Sequence, residues 1–426
     1  MSKFTEWQAQ ACKAHAEGPF ADLLREAWNR AIDAVVALPA DAGGPDLIVK
    51  KGGLGIAIKV GDDKTKWRAL TFSSTPTAGF PFSEFVSTGL SFEGNLFTNI
   101  HSEPMYLGCN IGDWYTVPVA NQKVWNSKVW WSGYDAINWK FSFYQADEDP
   151  CEVHDNEIWY AGHMYYTATD ADAPGTAANE ENLHLQTNGI QLGQITHPMN
   201  VYNNIVVNTG FIGMQVFNKP SVDRTLTGMP PLQYVDFKVY NNVFARTSEH
   251  YGKYGQEDGD GMRFGSSTGG NFNGTQRTAV KLRVFAYNNT IIGSGIALSA
   301  DPPLTTPEPH TNIGINVQNS CEPGSIGANN LVCQTNPTTV TGGDADGVKF
   351  AVGSSSGTVY DTNPADILFV NYTSNDPDVF DCSLQALSPA LAAGVGTYAA
   401  DDPWRTDAAG NTRPSTGHDV GAYERA

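Results

Sequence analysis

The sequence of 426 residues is 41% hydrophobic, with 43 glycines and 24 prolines spread along its length, a composition that favours many short strands and turns over a helical bundle. A single compact core stops growing at roughly 250–300 residues, so the chain holds either two domains or an elongated solenoid. A formal net charge of −19 and a pI near 4.7 exclude nucleic acid and an anionic bilayer as partners, and admit an acidic sugar polymer only where a basic cluster or bound cations locally reverse the sign.

The N-terminal stretch "MSKFTEWQAQACKAHAEG" lacks the charged-then-apolar pattern of a signal peptide. No run reaches about 18 apolar residues, so membrane insertion is not expected. Residues 20–36 place Phe20, Leu23, Leu24, Ala27, Trp28, Ala31, Ile32, Val35 and Val36 on a 3.6-residue period, which predicts an amphipathic helix. "PADAGGP" breaks it, and "DLIVKKGGLGIAIKV" reads as strand, turn, strand. Residues 1–45 are therefore expected to form an N-terminal helical cap or attachment segment.

From 46 to 385 the chain repeats itself. A ten-residue phrase runs apolar, variable, Asn or Asp, Asn, variable, apolar, then a small residue near its end. It appears as "VWNSKVWWSG" from Val124, "VHDNEIWYAG" from Val153, "VYNNIVVNTG" from Val201, "VYNNVFARTS" from Val239 and "AYNNTIIGSG" from Ala286. Weaker copies start at Phe92 and Gly327. A second phrase follows several copies: "GIQLG" at 189–193, "GMQVF" at 213–217, "GMRFG" at 261–265 and "GIALS" at 295–299. Strand, tight corner, strand and a longer return describe one coil of an all-β parallel β-helix, whose stacked coils pair their backbones about 4.8 Å apart. Asn tolerates the left-handed corner, and its amide can both donate and accept. Asn156, Asn204, Asn242, Asn289 and Asn330 are thus expected to form an inward ladder that serves the scaffold.

The second position of the phrase, held by Trp125, His154, Tyr202, Tyr240 and Tyr287, should point outward. Such an aromatic stripe suits the apolar faces of sugar rings, or else stacks on itself to stiffen the solenoid. Trp130, Trp131, Tyr202 and Tyr240, with Tyr251, are the sugar-contacting candidates. Two insertions lengthen particular coils: residues 163–188 before "GIQLG" and 249–260 before "GMRFG". In register they leave one corner roughly 10 Å apart and can wall a groove. The second carries "EHYGKYGQEDGD". Asp258 and Asp260 have the alternate spacing that puts two carboxylates on one strand face, as glycoside hydrolysis needs. His250, Lys253 and Arg263 are the residue types a lyase uses as base and for charge relief. The bland alternatives are a solvated acidic turn or a calcium loop; no cofactor is required. Cys12, Cys109, Cys151, Cys321, Cys333 and Cys382 show no metal-ligand spacing, and Cys321 and Cys333 can either pair or stay free.

The opening "LREAWNRAIDAVVALPADAGGPDLIVKKGG" and the ending "SPALAAGVGTYAADDPWRTDAAGNTRPSTGHDVGAYE", with Asp407, Gly410, Arg413, Asp419, Gly421 and Glu424, resemble those of the pectate-lyase-like right-handed parallel β-helix superfamily, which includes many phage tailspikes. The resemblance implies a helical cap, a right-handed parallel β-helix and a C-terminal segment, 386–426, that ties down the last coil. It also implies a polysaccharide or surface glycan as partner. The expectation is a virion component of tailspike or decoration type, a homotrimer or bound to other virion partners, found in the virion or outside the cell. A secreted polysaccharide lyase or glycoside hydrolase is the alternative, and a purely structural virion protein the third. Enzymatic activity stays open, because this fold hosts lyases, hydrolases and non-catalytic binders alike.

Overall fold

The computed structural model describes residues 48–50, 87–88, 91–100, 103–107, 119–120, 122–142, 149–162, 187–218, 234–248, 260–266, 270–272, 275–277, 280–293, 313–333 and 347–425. The helix expected over 20–36, the phrase at 295–299 and the interiors of both insertions lie outside them. Among the described residues, three parallel sheets of nine, eight and seven strands stack coil on coil. A typical coil runs Tyr234–Tyr240 in the first sheet, Val243–Ala245 in the second and Met262–Ser266 in the third. The chain is a right-handed parallel β-helix.

Register follows the repeated phrase. Val153, Val201 and Val239 pair position for position in the first sheet, and Ile158, Val206 and Phe244 in the second. These side chains point inward and are fully buried, meeting Trp139, Leu192, Val216 and Phe264 from the third sheet in one continuous core. From Gly189 onward, the glycine that opens the third-sheet strands has a steric cause. A Cβ on Gly213 would lie 2.6 Å from the Gly261 carbonyl oxygen and 2.6 Å from Phe244, so only glycine lets the next coil settle there.

The amide phrase divides its labour between its two members. Asn126, Asp155, Asn203, Asn241, Asn288 and Asn329, the first of each pair, turn the corner with φ from 50° to 56°. The second member forms the ladder. Asn156 donates from Nδ2 to Asn204 Oδ1 at 3.0 Å, Asn204 to Asn242 at 2.9 Å, Asn242 to Asn289 at 3.0 Å and Asn289 to Asn330 at 3.0 Å. Each Oδ1 also accepts the backbone N–H of the preceding ladder residue, as Asn242 does from Asn204 at 3.0 Å. The corner conformation and the ladder thus belong to neighbouring residues, because a left-handed residue directs its own side chain away from the core.

The C-terminal segment is held by the charged residues expected to hold it, but in a different place. Instead of covering only the last coil, it lies along the outer face of the second sheet. Ile367, Phe369, Cys382, Leu384 and Val420 pack there on Trp159, Val207, Val243, Ile292 and Leu331. The packing segment starts well before 386. The cause is the second sheet itself, whose short strands "IVV", "VFA" and "LVC" are apolar on both faces and need an outer cover. Arg413, fully buried, donates to Asn241 Oδ1, to the carbonyls of Asp419 and Gly421, and to Glu424, so it pins the segment to a corner asparagine. Cys321 and Cys333 are both free buried thiols, and burial pushes Cys321 up to about 12.

His418 belongs to the same clamp. It is buried and stacks on Tyr398 at 4.0 Å. Asn329 Oδ1 accepts from Val395 N at 2.8 Å, which fixes the amide orientation, so Asn329 Nδ2 donates to His418 Nε2 at 2.9 Å. Asn329 Nδ2 also approaches the Tyr398 hydroxyl at 2.6 Å and the Val395 carbonyl at 3.1 Å, surroundings that suit a neutral ring. Burial first, then the Arg413 charge, lower its pKa, with Asp419 opposing. The unfolded chain takes up this proton near pH 6.5 and the folded chain resists it. Stability is thus full above about 6.5, declines as pH falls below it, and levels off once the folded imidazole also protonates. Denaturation midpoints from pH 7.5 to 5 should show this slope in the parent and a flatter one in His418→Gln; equal slopes would show that the proton is taken up elsewhere.

Candidate functional site

Two columns of polar side chains mark the third sheet. The first stands just before four of the strands and contains Glu103, Asp135, Asn188 and Asp260, with Ile212 and Ile313 at that position on other coils; Asp135, Asn188 and Asp260 are completely buried. The second lies on the outer face, where strand register aligns Asn138, Gln191, Gln215, Arg263, Asn316 and Lys349 on successive coils.

The columns are bonded to each other. Asp135 Oδ1 accepts from Asn188 N at 2.8 Å, while its Oδ2 accepts from Asn138 Nδ2 at 3.0 Å. Glu103 takes the same Asn138 Nδ2 at 2.7 Å. Three storeys on, the pattern recurs. Asp260 Oδ1 accepts from Ile313 N at 3.3 Å, and its Oδ2 accepts from Arg263 Nε at 2.6 Å and Asn316 Nδ2 at 3.0 Å. In both places a buried carboxylate receives the next coil's backbone N–H and orients the outer-row side chain three residues on. "DAIN" at 135–138 and "DGMR" at 260–263 are the same device.

This geometry fixes the chemistry the face offers. The carboxylates take both N–H groups of Asn138 and one of Asn316. Asn138 Oδ1, Gln191 Oε1 and Asn316 Oδ1 are buried atoms with no donor. Each such acceptor forgoes about 1–3 kcal/mol until a hydroxyl, an amide or a water reaches it. The side chains of Gln191, Gln215 and Asn316 are only partly buried.

Of the residues singled out from the sequence, Asp260 and Arg263 come together as a buried ion pair on this face. Asp260 is engaged on both oxygens, which suits it to holding Arg263 in place. His250, Tyr251, Lys253 and Asp258, with the acidic turn read as a calcium loop, lie outside the described residues. Both insertions that contain or adjoin these residues leave the end of the second sheet, after Gly162 and after Ser248, and re-enter the third sheet at its first column. Among the described residues no group of three or more His, Cys, Asp or Glu could hold a metal ion, and no helix is long and apolar enough to cross a membrane.

The aromatic candidates fall on other faces. His154 stacks on Tyr202 at 4.6 Å and Tyr202 on Tyr240 at 4.9 Å, each pair within 2° of parallel. Trp404 stacks on Tyr287 at 4.1 Å and meets Tyr240 edge-on. The inner rings spend their faces on each other, so this stripe offers a ligand mainly ring edges and hydroxyls. Burial is the main cause that raises both the Tyr202 and Tyr240 hydroxyls above their ordinary pKa, so they stay protonated donors. Trp131 and Tyr160 stack at 4.2 Å and 8° at the corner from which the first insertion leaves. Both adopt left-handed backbone, φ 61° and 58°, at a position where later coils use Asn208, Arg246 and Gly293, and Trp131 is 39% exposed. Left-handed backbone costs an ordinary side chain roughly 1–3 kcal/mol, so these two rings are displayed at an energetic cost. Trp130, one residue earlier, is partly buried with its Nε1 lacking an acceptor.

Glu103, Asp135, Asn138, Gln191 and Asn316 were not singled out by sequence reasoning. The available signal was the D-x-x-N/R echo, visible only once coil register is known.

No family model matches the chain, and no curated protein matches it. Among solved structures, the crystal structure of pectate lyase Pel9A aligns with a TM-score of 0.38 at 15% identity, covering 80% of this chain and 72% of that one. That likeness concerns architecture alone.

Proposed function

We propose that the protein binds a polysaccharide or surface glycan across the outer face of the third sheet, with the Trp131–Tyr160 stack at its margin. The observation that carries this reading is the Trp131–Tyr160 stack, with Trp131 39% exposed, at the margin of a row of partly buried amides at Gln191, Gln215 and Asn316. A sugar chain presents hydroxyl donors at intervals comparable to the coil spacing, and a stacked aromatic pair suits the apolar face of a pyranose. Affinity electrophoresis against a polysaccharide panel tests it. At least one glycan should retard the protein, and Gln191→Ala or Trp131→Ala should weaken that retardation several-fold without shifting the melting temperature. Unchanged mobility across the panel sinks the proposal.

A catalytic version adds Asp258, His250 and Lys253 as acid, base and charge relief, with Asp260 holding Arg263. Reducing ends or unsaturated ends released from a bound glycan, and lost in Asp258→Ala and His250→Ala, would support it. A finer reading still places the chain on a phage particle as a tailspike or decoration protein, and recovery of the chain in purified particles would support that.

A further inference from the structure

We infer that the C-terminal end of the solenoid is a docking surface for a second copy of the chain, set against the first about a two-fold axis. The last coil consists of Val348–Phe350, Ser354–Ser356 and Val359–Asp361, which terminate the third, first and second sheets. Among the described residues no strand lies beside their far edges. The chain departs instead through Pro364–Ile367 toward the outer flank, where Ile367 packs. The core is therefore cut open at this end. Phe350 and Tyr360 continue the inward columns of Val317 and Val332, which are fully buried, yet both are only partly covered. Strand edges left at the end of a sheet are a template for a further chain.

The sequence of this coil matches its own reverse. Residues 347–363 read "GVKFAVGSSSGTVYDTN", nearly palindromic about Ser355. A half-turn about an axis through Ser355, perpendicular to the solenoid, sets Ser354 against Ser356 of the second copy. It also sets Gly353 against Gly357, Phe350 against Tyr360 and Lys349 against Asp361, each contact occurring twice as a two-fold interface requires. The backbone agrees with that register. Ser354 N donates back to Ser325 O at 3.1 Å, and Ser356 O accepts from Asn329 N at 3.0 Å. Ser355, between them, therefore directs its own N–H and C=O toward the open end. Ala351 N donates back to Val317 O at 2.9 Å and Val359 N to Asn330 O at 3.0 Å, so Phe350 and Tyr360 direct theirs the same way. Opposed residues of an antiparallel pair exchange both bonds, and Ser355 with Ser355, or Phe350 with Tyr360, meets that demand in one register. Lys349 and Asp361 then face each other in a closely spaced pair. They are the only charged residues of 347–363 in a chain of net charge −19, so here two copies meet with charges matched.

Sedimentation velocity on the full chain, over a wide range of concentration, tests the pairing. A species of two copies is expected, dissociating on dilution. Ser355→Pro removes the N–H aimed at the second copy and spares the bonds that run back, so it should weaken the dimer about tenfold or more with an unchanged circular dichroism spectrum. Lys349→Asp and Asp361→Lys each oppose like charges and should weaken it about tenfold, while the double variant regains most of the affinity. Within one copy these two residues lie on different sheets, so that recovery reports a contact between copies. The charge variants carry the test alone if the proline variant fails to fold. A chain monomeric at every concentration, or an oligomer that none of these changes weakens, overturns the inference. So does a double variant no better than the single ones, and so does a trimer, because a two-fold end closes after two copies.

Discussion

Replacing Asn242 with Ala is expected to lower the unfolding free energy by about 3–5 kcal/mol, a large effect for a polar truncation. Asn242 sits mid-ladder and is completely buried. Its Oδ1 accepts from Asn204 N at 3.0 Å and Asn204 Nδ2 at 2.9 Å; its Nδ2 donates to Val201 O at 3.0 Å and Asn289 Oδ1 at 3.0 Å. Alanine strands the Asn204 N–H and removes the donor from the Val201 carbonyl, and no water can reach either inside the core. Asn242→Asp should be no better, because a carboxylate cannot donate and would face two acceptors while carrying a buried charge. The control is Asn203→Gly. Asn203 turns the corner at φ 56° on the outside, and glycine adopts that angle freely, so a change below about 1 kcal/mol is expected. Denaturant titrations followed by both tryptophan fluorescence and circular dichroism measure the difference. Equal losses in Asn242→Ala and Asn203→Gly would refute the division of labour between corner and ladder.

Arg413→Ala is expected to cost a similar amount, about 3–5 kcal/mol, but locally. The guanidinium is fully buried, and burial lowers its pKa against the pull of Glu424. Truncation leaves the Glu424 carboxylate in a dry site, with the Asp419 N–H at 2.8 Å still donating to it, and takes the donor from the Gly421 carbonyl. The consequence should be release of the segment from the second sheet while the ladder persists. Limited proteolysis should then cut within 363–425 in the variant and spare the parent. Loss of the Trp404–Tyr287 stack gives an independent fluorescence change. Arg413→Lys should not restore the parent, because one ammonium cannot reach Asn241 and the Gly421 carbonyl in the fork geometry. Protease resistance equal to the parent in Arg413→Ala would show that apolar packing alone holds the flank.

The β-helix was legible because its physics repeats. Most coils place an inward apolar residue, a left-handed corner, a ladder amide and a glycine entry to the third sheet as marks at the same phase, although the coil from Val124 uses Ser127 and Ala136 instead. "VYNN" and "GMRFG" are those marks, and the register they imply agrees with the strand pairing at Val201, Val239 and Met262. The flanking position of the C-terminal segment was also written, in the double-sided apolar strands "IVV" and "VFA" beside the alternating "YVDFKVY". That signal speaks of a cover and does not say which segment supplies it.

The site was legible only in part. Asp260 and Arg263 drew attention by residue type, yet their pairing depends on a three-residue spacing whose meaning changes with the coil. Asp135 and Asn138 carry the same spacing but sit beside no insertion, so residue type and loop length did not reveal them. The sequence by itself determined the coil, its ladder and its sign of charge, since those follow from local demands repeated along the chain. Only the tertiary structure decided how the outer amides are oriented, because the direction of an amide is set by the carboxylate facing it. Glu103 lies 35 residues before Asn138, and Asp260 lies 56 before Asn316.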